Sequence, residues 1–299
     1  MGTIMYRCPV PELEEEVGMT RPRPAPISPL GVAEILDGAV RLVRGNGRAV
    51  LTIAVPFAVA RAALGALLQY AAIEATSAQV LTIIGGLLIA VALGTVQSGL
   101  LAPLFSSDLV GTRLTAAQSA RRVGGRTVWR LAVLGLVVTI AEGAGLLAFA
   151  VGGVYLWGAW AVSAPALVLE RTTVRGALVR SRRLVAGTFW RVWGIRALGW
   201  VLTTVLGFFI ALPFQLVAGY LTGADLFDAS SDITHPALYV TILAVGALVS
   251  GALVAPISSA VDVLLYTDLR MRKEGMDIVL ALPPRPEPTG TGRPAVTAW

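Results

Sequence analysis

The sequence predicts an all-α polytopic membrane protein: six transmembrane helices in three hairpins, each preceded by a cytoplasmic interfacial amphipathic helix. Three observations carry this. Of 299 residues, 56% are apolar and only 14% are charged, where a soluble domain has about 25% charged residues. The apolar residues gather into runs long enough to cross hydrocarbon. The arginines fall on alternate loops only.

The elements follow in chain order. Residues 1–27 are expected to be a disordered cytoplasmic segment; Glu12, Glu14, Glu15 and Glu16 are incompatible with a secretory signal peptide. From Pro29 to Arg44, Val32, Ile35, Leu36, Ala39 and Val43 recur at helical spacing, with Glu34, Asp37, Arg41 and Arg44 on the opposite face. Ser28 and Pro29 provide an N-cap and a first helical residue. Apolar runs then cover Ala49–Ile73, Val80–Phe105, Leu131–Leu169, Val192–Leu221 and Ala237–Leu265. About 20 such residues span a bilayer core. As one helix the third run would be about 58 Å long, so Gly143, Gly145, Gly152 and Gly153 mark a turn that divides it in two. The six spans lie at about 49–73, 80–105, 129–147, 150–169, 192–216 and 237–265, inside a membrane domain of residues 28–280. The tail, 281–299, has the Pro, Thr and Gly content of a disordered segment.

Two further amphipathic stretches precede the later hairpins. Thr115–Val123 opens with Thr115 and Gln118 placed as a capping box. Val174–Val185 sets Val174, Ala177, Leu178, Leu184 and Val185 against Arg175, Arg182 and Arg183. Helices of this kind lie in the interface with their apolar side in lipid. Arg121-Arg122 and Trp129-Arg130 recur as Arg182-Arg183 and Trp190-Arg191, and an Ala-Pro pair closes each even span (Ala102-Pro103, Ala164-Pro165, Ala255-Pro256). The chain thus reads as three copies of one unit. In span 2, Gly86, Ala90, Gly94, Ser98 and Ala102 form a small-residue stripe, echoed in span 6 by Ala247, Gly251, Ala255 and Ser259. Such stripes let helix backbones approach closely, as internal seams or as a dimer interface.

Orientation follows from charge. Lys and Arg precede span 1, fill the 2–3 and 4–5 loops and follow span 6, while the alternate loops hold only Glu74, Asp225, Asp228 and Asp232. Positive-inside bias puts both termini in the cytoplasm of a bacterial plasma membrane. The net charge of +6 is therefore topology, and no nucleic-acid partner is expected.

Four ionisable residues lie inside the spans, where charge is costly and marks candidate functional sites. Arg61 and Glu142 stand about 18–20 Å from the cytoplasmic edge at 1.5 Å per residue, and Arg196 and Asp262 are shallower. The sequence suggests Arg61–Glu142 and Arg196–Asp262 as polar pairs, either structural or lining a polar path. The candidate contacts for anionic headgroups are Arg121, Arg122, Arg130, Arg182, Arg183 and Arg191.

Catalytic and metal motifs are missing from the sequence. It has no P-loop or dinucleotide fingerprint, one His (His235), one Cys (Cys8), and no base beside its serines. Asp37-Gly38-Ala39-Val40-Arg41 faintly resembles the start of a CDP-alcohol phosphotransferase motif, but the further aspartates do not follow. An interfacial enzyme would have to use Glu34, Asp37 and Asp268. No catalytic, cofactor or metal site is expected.

Four segments together resemble a known family. They are Pro29-Leu-Gly-Val-Ala-Glu-Ile-Leu-Asp-Gly-Ala-Val-Arg41, Ala164-Pro-Ala-Leu-Val-Leu-Glu170, Ser181-Arg-Arg-Leu-Val185 with Phe189-Trp-Arg191, and Leu265-Tyr-Thr-Asp-Leu-Arg-Met-Arg272 with Glu274-Gly275. The resemblance is to the bacterial integral-membrane family named glycerophosphoryl diester phosphodiesterase membrane domain, abundant in actinobacteria, and it runs roughly from Pro29 to Leu280. It implies a six-helix membrane domain without the catalytic barrel, and no phosphodiesterase residues carry over. The first functional expectation is a non-catalytic scaffold or accessory subunit that binds anionic lipid and a membrane-protein partner. The second is a small transporter or lipid-handling protein with an internal polar site at Arg61 and Glu142.

Overall fold

The structure, a computed structural model, describes residues 31–73, 79–148, 150–223 and 234–274. Among them every regular element is an α-helix. The order is α1 (Val32–Gly45), α2 (Gly47–Ile73), α3 (Gln79–Leu109), α4 (Ala116–Ala148), α5 (Ala150–Ala159), α6 (Ser163–Leu169), α7 (Val174–Val185), α8 (Phe189–Thr222) and α9 (Pro236–Glu274). Six stretches are long and apolar enough to cross a membrane: α2, α3, α4, α5 continued by α6, α8 and α9. The chain is an all-α polytopic membrane protein. Expectations for residues 1–27, 281–299, the Ser28 cap and the acidic outer loops lie outside the described residues.

In hydrocarbon every backbone polar group must be satisfied within the chain, so apolar runs become helices even where they contain proline. Pro56, Pro103, Pro213 and Pro256 all sit inside helices. Helix ends differ from the expected spans in one direction. The helix of span 5 begins at Phe189 and continues beyond 216 to Thr222, and that of span 6 continues beyond 265 to Glu274. Hydropathy marks the hydrocarbon slab, whereas the backbone ladder continues into the headgroup layer.

The amphipathic helices form as expected, with Val174–Val185 reproduced at both ends. Thr115 and Gln118 make the reciprocal capping bonds, 2.9 Å from the Thr115 amide and 3.3 Å from the Gln118 amide. Their apolar faces, however, do not lie in lipid. Ile35, Ala39 and Leu42 of α1 are buried, and a Cβ at Gly38 would touch the Leu264 side chain of α9. Ala177, Leu184 and Val185 of α7 are buried as well. Ser119 of α4 is fully buried and donates to the Leu100 carbonyl of α3 at 2.6 Å. An amphipathic pattern demands an apolar surface and does not say whose; here α3, α6 and α9 supply it.

Each amphipathic helix meets its span at an elbow. Gly124 (φ 68°) divides α4, and Gly187 (φ 83°) stands between α7 and α8; both need the left-handed backbone glycine allows. The first unit instead uses Asn46, whose side-chain amide donates to Leu42 O at 3.1 Å and to Asp108 at 3.0 Å.

Two hydrophobic clusters hold the bundle, and both occupy the halves nearest the arginine-rich end. One joins Ile35, Leu101, Phe105, Val162, Leu184, Ile195, Leu265 and Leu269; the other joins Val96, Val123, Leu131, Leu134 and Leu167. Toward the opposite end Leu147 is 91% exposed and Tyr220 90% exposed, surfaces for lipid.

Candidate functional site

The fourth span is broken, and the break builds the site. Between α5 and α6 the amide of Ala161 bonds to Gly158 O at 3.3 Å rather than to Trp157 O four residues back. That frees the Trp157 carbonyl, which accepts from Arg196 Nη1 of α8 at 2.5 Å, with the guanidinium 4.8 Å from the Trp157 ring centroid. The Ala159 carbonyl accepts from the buried Ser181 hydroxyl of α7 at 2.9 Å, and the Ser181 hydroxyl oxygen in turn accepts from the Val162 amide at 3.4 Å. Side chains of two other helices thus satisfy a kink that would otherwise leave backbone groups unpaired in hydrocarbon.

Beside the break lies a cavity of about 350 Å³ to which all six spans contribute. Arg61 enters from α2, Gln97 and Ser98 from α3, Glu142 from α4, Trp160 and Ser163 from the break, Arg196 from α8, and Ser258 and Asp262 from α9. All four intramembrane charges read from the sequence therefore reach one place, but no ion pair joins Arg61 to Glu142 or Arg196 to Asp262 among the described residues. Arg61 Nη2 and Glu142 Oε1 are buried without a hydrogen-bond partner in the protein. So are both polar atoms of Gln97, which is 1% exposed, and the Ser98 hydroxyl and Trp160 indole N–H.

The small-residue stripes explain how Arg61 fits. A Cβ at Gly94 would stand 3.7 Å from Arg61 Nη1, and one at Gly251 3.8 Å from Nη2. The guanidinium is held between α3 and α9 where their side chains are smallest, so the stripes are internal at Gly94 and Gly251, while Ala247 of the span-6 stripe is exposed. Sequence reasoning missed Gln97, Ser98 and Trp160. An uncharged amide in mid-span, next to a serine of the stripe, is the signal that could have found them.

A second, apolar groove of about 830 Å³ runs between α4, α5 and α8, past Leu146, Val154, Trp193, Ala197 and Val201. It shares Thr139, Glu142 and Trp157 with the polar cavity.

At the arginine-rich end the charges are paired. Glu170 accepts from Arg180 Nε at 2.8 Å and from the Tyr266 hydroxyl at 2.7 Å, while Glu274 accepts from Arg180 and from Arg270. Burial opposes the charge of Arg180, but its hydrogen bonds to Glu170 and Glu274 outweigh that and hold its pKa above the ordinary arginine value. Fully buried Asp268 accepts from Arg191 at 2.5 Å and from Arg272 at 3.0 Å. Arg191, a candidate headgroup contact by sequence, is thus committed to the protein: its partner lies 77 residues away, beyond any local pattern. Arg121, Arg122, Arg182 and Arg183 are exposed and Arg130 half-buried; the neighbouring Trp129 and Trp190 are 71% and 78% exposed. Asp37, largely exposed, pairs with Arg41 at i,i+4 spacing, and Glu34 accepts from the Gly31 amide at 2.6 Å.

No protein-family profile, no curated protein and no solved structure matches the chain.

Proposed function

We propose that the protein takes up a charged small molecule or headgroup in its internal cavity and moves it within or across the membrane, without chemistry. One observation carries this: four helices, α2, α4, α8 and α9, bring two guanidinium and two carboxylate groups to one cavity, yet Arg61 and Glu142 are not paired. Burying an uncompensated charge costs several kcal/mol in a protein interior, and intramembrane ionisable groups typically mark substrate paths. Charges kept only to lock helices together would pair directly. The discontinuous fourth span agrees with a site of this type, because broken helices line the cavities of many transporters.

The test compares small molecules released on denaturation from wild-type protein and from an Arg61→Gln/Asp262→Asn variant, both purified in neutral detergent. A compound carried by the wild type and lost from the variant is expected. Identical extracts from two folded proteins would overturn the proposal.

A second reading keeps the protein as a scaffold on anionic lipid, favoured by the exposed Arg121-Arg122 and Arg182-Arg183 pairs near exposed Trp129 and Trp190. Both readings place the arginine-rich end in the cytoplasm of a bacterial plasma membrane. Membership of the phosphodiesterase-type membrane-domain family is likewise proposed. Its support is that Glu170, Ser181, Arg191, Tyr266, Asp268, Arg272 and Glu274, drawn from three of the four resembling segments, serve the break and the two ion-pair clusters.

A further inference from the structure

We propose that the ligand is an amphiphile whose head carries both signs of charge, with the head in the polar cavity and the chain in the groove between α4, α5 and α8. This rests on the cavity being a binding site and adds what it binds and by which route. Three observations lead there.

The first is adjacency. Thr139, Glu142 and Trp157 line both spaces, so the apolar groove adjoins the polar cavity. At roughly 30 Å³ per water-sized group, a cavity of about 350 Å³ takes a head of about a dozen non-hydrogen atoms. The groove, at about 830 Å³, takes a long hydrocarbon chain. A solute that is polar throughout has no use for the second space, and a bare hydrocarbon has none for the first.

The second is how charge is distributed. Arg61 has no ion-pair partner among the described residues, and Gln97 and Ser98 offer unpartnered donors in the same cavity. A guanidinium, an amide and a hydroxyl together suit a phosphate or carboxylate. Arg196 and the carboxylates Glu142 and Asp262 line the same cavity, and no ion pair joins Arg196 to Asp262 among the described residues. By residue count Glu142 stands at the depth of Arg61, and Asp262 lies nearer the arginine-rich end. A head with its anion on Arg61 and an amine extended along α9 toward Asp262 complements both kinds of group.

The third is Gln97. It is 1% exposed, lines the cavity and has neither its carbonyl nor its amide group bonded within the protein. A buried amide with both ends unused is destabilising, unless the cavity contents supply both an acceptor and a donor. A phosphate beside an ammonium supplies both.

The test uses full-length protein purified in dodecyl maltoside and native mass spectrometry, with three probes: long-chain lysophosphatidylethanolamine, tail-less glycerophosphoethanolamine, and the maltoside itself. One lysolipid should bind per chain, with Arg61→Gln weakening it about tenfold, the usual loss for one charge-assisted bond. Ala197→Trp, which fills the groove from α8, should weaken the lysolipid to the level of the tail-less head. If the tail-less head binds as tightly as the lysolipid and Ala197→Trp has no effect, the amphiphile is overturned while a polar site stands. If neither binds, site and amphiphile both fall. If maltoside displaces the lysolipid as readily as more lysolipid does, the groove holds only annular lipid and the proposal is overturned. Should Ala197→Trp not fold, the three probes on wild-type protein decide alone.

Discussion

Arg61 and Asp268 are both ionisable groups enclosed by helices, and their surroundings predict opposite responses to mutation. Asp268 is fully buried and accepts from two arginines. Asp268→Ala should cost about 3 kcal/mol of stability, because it strands the cations drawn to that carboxylate. Arg61 has an unpartnered guanidinium nitrogen and nothing that a substitution would strand. Arg61→Met should leave thermal stability in detergent unchanged or raise it by about 1 kcal/mol, while removing ligand binding. The stability change of the Arg61→Leu/Glu142→Leu double mutant should equal the sum of the two single mutants within about 0.5 kcal/mol, the additivity of uncoupled sites. A large rescue in that double mutant would restore the direct pair suggested by the sequence. The depths of Arg61 and Glu142 were legible by counting residues from Arg48 and Arg130. Their lack of pairing was not, because spacing fixes height along a helix but not the direction in which a side chain faces once six helices have packed.

Among the elements, the elbows and the broken span carry the sharpest expectations. Gly187 has φ 83°, so Gly187→Ala should destabilise by about 1 kcal/mol. Gly65 lies in the interior of α2 with no atom near its would-be Cβ, and Gly65→Ala should stabilise by up to about 1 kcal/mol. A thermal melt of the two variants side by side tests the assignment. Ser181→Ala removes the donor to Ala159 O and should cost about 1–3 kcal/mol, loosening the wall of the cavity at Trp160. Span count, the bounds of α7 and the capping box of α4 were all readable from apolar runs, periodicity and the Thr-x-x-Gln pattern. The break at Trp160–Val162 was not. Its residues carry no glycine or proline, and the kink is held by Arg196 and Ser181 from other helices. For the same reason the amphipathic faces were legible, but their protein partners were not.

For the whole molecule, the arginine distribution makes a topological prediction. With Cys8→Ser as background, cysteines placed by Arg113→Cys and Arg175→Cys should be labelled from the same side of sealed vesicles, and one placed by His235→Cys from the other. Labelling of all three from one side would refute the six-span path. Burial is as uneven as charge. Both hydrophobic clusters, the two ion-pair clusters and the lysine bridge from Lys273 to Arg183 O (2.8 Å) lie at the arginine-rich end. The far ends of the hairpins present their Leu, Val and Tyr side chains outward. The molecule is therefore clamped most firmly at one end, while at the other α8 and α9 are still tied by Thr234 to the Thr222 carbonyl and Gly145 of α4 lies against Gly153 of α5. The exposed apolar side chains sit on those far ends, so thickening or thinning the bilayer should act there before it disturbs the clamped end.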